Sequence, residues 1–141
     1  MILVGSDAPA FFQAASIMRK YLPHIVFDPQ CQIIYEDDRY YGLITVHGDT
    51  INYDHVILDK FVCNPEIIFI VMSTLFSMGS IVNTYIEEDN AQAQRFVKGV
   101  GFINTGTLRQ TPKSLAIWSM TKDEWKNNRI KLHFEKQTLN Q

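Results

Sequence analysis

The segment of residues 88–102, EDNAQAQRFVKGVGF, gives the clearest structural signal in the chain. Asn90 has the side chain of a helix N-cap, because its oxygen can accept a hydrogen bond from a backbone N–H of the first turn. Gly101 is typical of the residue that ends a helix, and Phe102 is expected to begin a strand. Apolar residues recur between them at helical spacing and predict one buried face, formed by Ala93, Phe96, Val97 and Val100.

The part of the chain before this segment predicts a strand, a helix and three further strands. Ser6 or Asp7 is expected to cap the helix, with Pro9 in its first turn, where a missing N–H costs nothing. Its apolar stripe is predicted to be Phe11, Phe12, Ala15, Met18, Tyr21 and Leu22. The strands are predicted at residues 2–4, 32–35, 40–46 and 51–62.

The remaining segments predict a strand joined to its neighbour through a helix. Asn64, Pro65 and Glu66 are typical of a helix start, and residues 67–78 are apolar almost all round, so this helix is expected to be buried on more than one side, with Gly79 ending it. A strand over residues 80–87 follows. Strand, helix and strand in this order imply a parallel pair with a right-handed crossover. Two more strands are predicted at residues 102–109 and 115–120.

The segment of residues 88–102 resembles the C-terminal motif of the GNAT acetyltransferase family, in which an Asn opens the last helix and Gly-Phe closes it. The predicted order of elements, β-α-β-β-β-α-β-α-β-β, is also what this resemblance implies. The expected fold is of the α/β (α+β) class. It has a central mixed, mostly antiparallel sheet, a splayed parallel strand pair and helices on both faces, in a single domain over residues 1–141.

Composition and charge exclude several classes of protein. The net charge of -2 and the lack of a basic stretch give no footprint for nucleic acid, and the C-terminal residues 122–136 are expected to be a solvated surface. No apolar run is long enough for a membrane span. Cys31 and Cys63 lie apart from each other and from the scattered histidines, so no metal site is expected. The expected location is cytoplasmic, either the host cytoplasm or the virion if the protein is encoded by a phage.

The GNAT resemblance implies acetyl-CoA as the acyl donor and an amine as the acceptor. It places Phe61, Val62 and Cys63 at the strand end that pairs with the pantetheine arm, and Asn90 and Phe96 beside that arm. Catalytic candidates are His55 and Asp59, which lie with Asp54 on the same predicted strand, and Tyr85 on the next strand. Each of these residues also has a plain structural explanation: a helix cap for Asn90, and packing or solvation for the others.

Two features depart from the family pattern and leave two functions open. Pro65 and Glu66 stand where the family has a Gly-rich basic loop, and they remove one N–H donor and add a negative charge. Val97 stands where the family often has a Tyr that protonates the thiolate. One hypothesis is an acyl-CoA N-acyltransferase with a degenerate cofactor site. The other is a catalytically inactive GNAT-like protein that binds other proteins, similar to proteins of short-tailed bacteriophages that serve in head assembly or inside the virion.

Overall fold

The computed structural model describes residues 1–23, 25–59 and 64–139. The predicted order of strands and helices is confirmed, and two helices follow the last strand. The elements are β1 (Ile2–Gly5), α1 (Pro9–Tyr21), β2 (Gln32–Glu36), β3 (Tyr40–His47), β4 (Thr50–Ile57), α2 (Pro65–Phe76), β5 (Ile81–Glu87), α3 (Ala91–Val100), β6 (Ile103–Leu108), β7 (Leu115–Thr121), α4 (Lys122–Lys126) and α5 (Arg129–Leu139).

The strands form one seven-stranded sheet in the order β1-β2-β3-β4-β5-β7-β6. Neighbouring strands are antiparallel except for β4 and β5, which are parallel. The helix α2 joins these two strands, as expected for a crossover connection. The expected fold class, a mixed and mostly antiparallel sheet with one parallel pair, is therefore confirmed.

The parallel strands β4 and β5 diverge after a short paired segment. Thr50–Asn52 pairs with Ile81–Asn83, and beyond these residues β4 pairs only with β3. The sequence predicted that β4 would run to residue 62, but it ends at Ile57. The N–H groups of Leu58 and Asp59 both donate to the carbonyl oxygen of Arg39, so the chain turns around the β2–β3 connection and leaves the line of the sheet. Residues 60–63 lie outside the described residues.

Helices pack on both faces of the sheet. The helix α1 covers β2, β3 and β4 through a core that includes Phe11, Met18 and Tyr41. The helices α2, α3 and α4 cover the other face, where their apolar side chains form a second core with residues of β3, β4, β5 and β7. Because side chains alternate along a strand, Ile51 and Tyr53 of β4 face α2 and α3, whereas Val56 faces α1.

Two predictions about α1 are wrong. Its N-cap is Ala8, whose side chain has no oxygen, and the Ser6 hydroxyl donates to the carbonyl of Pro29 instead of to the helix. Phe12 and Tyr21 are exposed, at 63% and 56%. The buried face is centred on the row of Phe11, Ala14, Ala15 and Met18, because only that row points at the sheet.

The predicted ends of α2 and α3 are mostly confirmed. The Asn64 side chain accepts from the N–H of Ile67 at 3.0 Å, and the Asn90 side chain accepts from the N–H of Ala93 at 3.1 Å. Gly101 has a φ of 123°, a conformation that L side chains rarely adopt. The helix α2 ends at Phe76, before Gly79.

The C-terminal segment is more buried than the sequence predicted. Trp125 of α4 is 2% exposed and stacks on Phe76, with 6.2 Å between ring centroids. Phe134 of α5 stacks on Phe69 at 5.3 Å, so α4 and α5 cover one side of α2. Trp118 of β7 is also buried, at 8% exposed. Across the described ranges, no helix combines the length and the apolar character that a membrane crossing needs.

Candidate acyl-transfer site

The divergence of β4 from β5 leaves space in the sheet, and α2 and α3 close over it. The result is a small apolar cavity of about 50 Å³. A cavity of this volume can hold a few water molecules or a small acyl group. Its walls come from β3, β4, β5, α2, α3 and the connection between α3 and β6. The lining residues are Tyr40, Tyr53, His55, Ile57, Ile67, Ile68, Val71, Met72, Thr84, Phe96, Val97, Val100 and Phe102.

The polar groups in this wall are two tyrosines, a histidine and a threonine. The hydroxyls of Tyr40 and Tyr53 hydrogen-bond to each other. The Tyr53 ring lies directly over Gly42, where an added Cβ would be 2.7 Å from two of its ring carbons, so this packing requires glycine. The His55 ring lies 5.7 Å from the Tyr53 ring and 6.2 Å from the Phe96 ring, between centroids.

His55 is the unusual member of this group. Its Nδ1 is buried and has no hydrogen-bond partner among the described residues. Burial lowers the pKa of His55 to about 4, so its imidazole is neutral at pH 7. Buried polar atoms in folded proteins are nearly always paired, so an unpaired one at a cavity is a candidate contact for a ligand. The cavity therefore combines an apolar surface with one lining residue, His55, that has an unused polar atom.

The other catalytic candidates lie elsewhere. The Asp59 carboxylate pairs with the Arg39 guanidinium at 3.0 Å, and Arg39 also pairs with Glu36, beside the β2–β3 turn. Thr84 is buried in the cavity wall, so its neighbour Tyr85 lies on the opposite face of the sheet. Asp54 also lies on that opposite face, and burial raises the pKa of its carboxyl. Of the three catalytic candidates, only His55 lines the cavity.

Of the residues expected beside the donor, two are described. Phe96 lines the cavity but is only partly buried, whereas the sequence predicted that it would be buried. Asn90 is exposed, and its side-chain oxygen is engaged in the helix cap. Phe61, Val62 and Cys63 lie outside the described residues. Within the described ranges, no cluster of three or more His, Cys, Asp or Glu side chains could hold a metal ion.

Sequence reasoning missed Tyr40, Tyr53 and Thr84. A signal was present for Tyr53, because it lies two positions before His55 on the same strand and therefore on the same face. To predict that Tyr40 lines the cavity, one needs the register of β3 against β4, which pairs Tyr40 with Ile57. To predict that Thr84 lines the cavity, one needs the direction of β5 relative to β4.

The start of α2 is capped by its own side chains. The N–H of Ile67 is bound by the Asn64 side chain, Pro65 has no N–H, and Glu66 is the acidic residue of the first turn. These groups leave fewer backbone donors for an anion at this helix end than an uncapped helix would offer.

Sequence comparison with protein-family models gives no match, and comparison with curated proteins gives none. Solved structures do match. A chimera of the spermidine N-acetyltransferase SpeG from Vibrio cholerae and hSSAT is similar with a TM-score of 0.68, over 91% of this chain and 100% of that chain, at 9% identity. The aminoglycoside acetyltransferase AAC(6')-Ib, in complex with coenzyme A and kanamycin, gives a TM-score of 0.58 over 82% of this chain and 80% of that chain, at 14% identity.

These similarities establish the architecture of the molecule. Its strand order, its one parallel pair and its crossover helix are those of the GNAT acetyltransferase fold, as the segment of residues 88–102 predicted. At this level of identity the shared feature is the fold.

Proposed function

We propose that the protein transfers an acyl group from coenzyme A to an amine, with the acyl group held in the cavity between β4 and β5. The observation that carries this proposal is the neutral imidazole of His55, a residue that lines that cavity and whose buried Nδ1 has no hydrogen-bond partner among the described residues. The fold supports it, because structural neighbours are acetyltransferases and one of them is in complex with coenzyme A.

The residues in the cavity wall supply the proton transfers that this reaction needs. The amine nitrogen bonds to the thioester carbonyl carbon, and the C–S bond breaks. His55 Nδ1 accepts the proton that the amine loses, since its imidazole is already neutral. A hydroxyl of the Tyr40–Tyr53 pair gives a proton to the departing thiolate and regains one from His55, so that both groups return to their starting state. This tyrosine replaces the proton donor that Val97 cannot be.

The acceptor that this chemistry requires is a primary amine in its neutral form. Structural neighbours act on such molecules, according to their names: spermidine in one case and aminoglycosides in another. We propose an amine of this chemical class, either a small polyamine or an amino group on a protein, as the acceptor.

The alternative is a GNAT-fold protein without catalysis that binds other proteins, such as structural proteins of a bacteriophage. One observation favours it. The edge strand β6 carries no charged residue, and Ile103 and Leu108 are 53% and 44% exposed on it. An uncharged edge strand of this kind can pair with a strand of another chain.

A transfer assay distinguishes these two functions. The protein is incubated with acetyl-CoA and either spermidine or kanamycin, and both thiol release and the acetylated amine are measured. We expect turnover by the wild type and a fall in kcat of about 10²–10⁴ for His55→Gln, with a KM for acetyl-CoA within a few-fold of wild type. His47→Gln, at an exposed strand end, is the matched control and should not change kcat. If the wild type gives no product with either amine, acyl transfer to small polyamines and aminoglycosides is contradicted.

A further inference from the structure

A second depression adjoins the cavity and is chemically different from it. It is an open groove of about 530 Å³ between the start of α2, one side of α3 and one side of α5. Ile68, Phe96 and Val100 line both the cavity and the groove. A single ligand can therefore extend from one into the other, with a small apolar group in the cavity and a larger part in the groove.

The lining of the groove contains two arginines and a histidine, and no acidic residue is among its lining residues. Arg95 projects from α3, and Arg129 and His133 project from α5. All three are exposed, and neither arginine forms an ion pair within the described ranges. Arg129 also donates to the carbonyl of Gly99 at 3.3 Å, which ties α5 to α3 across the groove.

This local charge contrasts with the rest of the molecule. The chain has a net charge of -2, yet one concave surface contains two arginines that form no ion pair with the described residues. Two acidic residues adjoin the groove wall in sequence: Glu66 follows the wall residue Pro65, and Glu135 follows the wall residue Phe134 and pairs with Lys131. Guanidinium groups are well suited to phosphate, because their planar donors form paired hydrogen bonds with its oxygens.

We propose that this groove binds the phosphate groups of the acyl donor, held by the side chains of Arg95 and Arg129. The inference rests on the proposed function and assigns its phosphate site. In GNAT enzymes, as the sequence resemblance implies, a Gly-rich loop before the crossover helix holds these phosphates through its backbone. Here the capped start of α2 offers few such donors, and the two arginines from α3 and α5 supply the positive charge instead. His133 adds a ring nitrogen at the same wall.

The size and shape of the groove favour a small phosphorylated molecule over a nucleic acid as its ligand. A volume of about 530 Å³ lies within the range typical of small-ligand sites, and the groove adjoins the cavity through the shared wall residues Ile68, Phe96 and Val100. An extended nucleic acid requires a longer basic surface, and the net charge of the chain does not provide one.

The test measures binding and does not depend on catalysis. Calorimetry at low salt compares coenzyme A, pantetheine and inorganic pyrophosphate as ligands of the wild type and of Arg95→Gln/Arg129→Gln. We expect the double variant to bind coenzyme A and pyrophosphate at least tenfold more weakly, and pantetheine, which carries no phosphate, with unchanged affinity. Raising the salt concentration should weaken coenzyme A binding more in the wild type than in the double variant. Arg109→Gln, an exposed arginine outside the groove, is the matched control.

The outcomes separate this inference from the proposed function. If the double variant binds coenzyme A and pyrophosphate as tightly as the wild type, the groove assignment is wrong and the proposed function stands. If the wild type binds pyrophosphate through these arginines but catalyses no transfer, the groove assignment stands and the proposed function fails. Binding of neither coenzyme A nor pyrophosphate by the wild type overturns the groove assignment. Because both arginines are exposed, the double variant should remain folded, which thermal denaturation verifies.

Discussion

Replacing Trp125 by alanine is expected to lower the free energy of unfolding by about 3–5 kcal/mol, as large-to-small substitutions of buried aromatic residues do. Trp125 is 2% exposed and stacks on Phe76, with a second ring contact to Phe69 at 6.3 Å. The short helix α4 is too small to be stable by itself, and its capping box between Thr121 and Glu124 only fixes its start. The loss therefore combines transfer energy with a cavity between α4 and α2. Urea denaturation followed by tryptophan fluorescence and circular dichroism measures it.

The matched control for Trp125→Ala is Phe12→Ala. Phe12 is also aromatic and also lies on a helix, but it is 63% exposed. Its removal should change the free energy of unfolding by less than about 0.5 kcal/mol. A loss below about 1 kcal/mol for Trp125→Ala would mean that α4 does not pack on α2 as described.

The second large effect is a dependence of stability on pH that comes from His55. The folded-state pKa of about 4 lies below the ordinary value of 6.5, because burial disfavours the charged imidazolium. Between these two pH values the unfolded chain binds more protons than the folded chain, so stability falls as the pH falls. The contribution is complete above pH 6.5, declines from there towards pH 4, and amounts to up to about 3 kcal/mol.

This pH effect is measured as a difference between variants. Urea denaturation at several pH values between 4 and 7.5 is compared for the wild type, His55→Gln and His47→Gln. The wild type and His47→Gln should lose more stability on acidification than His55→Gln, because both retain His55 and the pKa that its burial depresses. Parallel curves for all three proteins would show that the His55 imidazole is not shielded from water.

The sequence predicted the parts of the fold that depend on local chemistry. Asn90 and Gly101 mark the two ends of α3 through their own side-chain and backbone properties, and both are found in those roles. Asn64 marks the start of α2 for the same reason. Because these signals act within one or two turns of the chain, they can be recognised without knowledge of the tertiary structure.

The features that the sequence could not give depend on contacts between distant segments. The exposure of Phe12 depends on the angle at which α1 meets the sheet. The end of β4 at Ile57 depends on hydrogen bonds to Arg39, which is about twenty residues away along the chain. The Tyr40–Tyr53 pair depends on strand register. The position of Arg95 and Arg129 in the wall of one groove depends on how α5 lies beside α3.

These contacts also decide which candidate residues can act together. His55 was one of several polar residues on a predicted strand, and nothing in the sequence separated it from Asp54 or Asp59. The pleat of β4 turns His55 towards the cavity and Asp54 towards the opposite face, and the turn after β4 brings Asp59 to Arg39. The choice among the three is therefore made by tertiary structure.

The central claim, that an acyl group occupies the cavity between β4 and β5, is tested most directly by filling that cavity. Val97 lines the cavity and is 2% exposed to solvent. The substitution Val97→Phe places a ring where the acyl group would lie. Val56→Phe makes the same change in the core under α1 and is the matched control for overpacking. Acetyl-CoA is titrated into each folded protein by calorimetry. Wild type and Val56→Phe should bind it alike, and Val97→Phe at least tenfold more weakly; equal binding by all three proteins would contradict the claim.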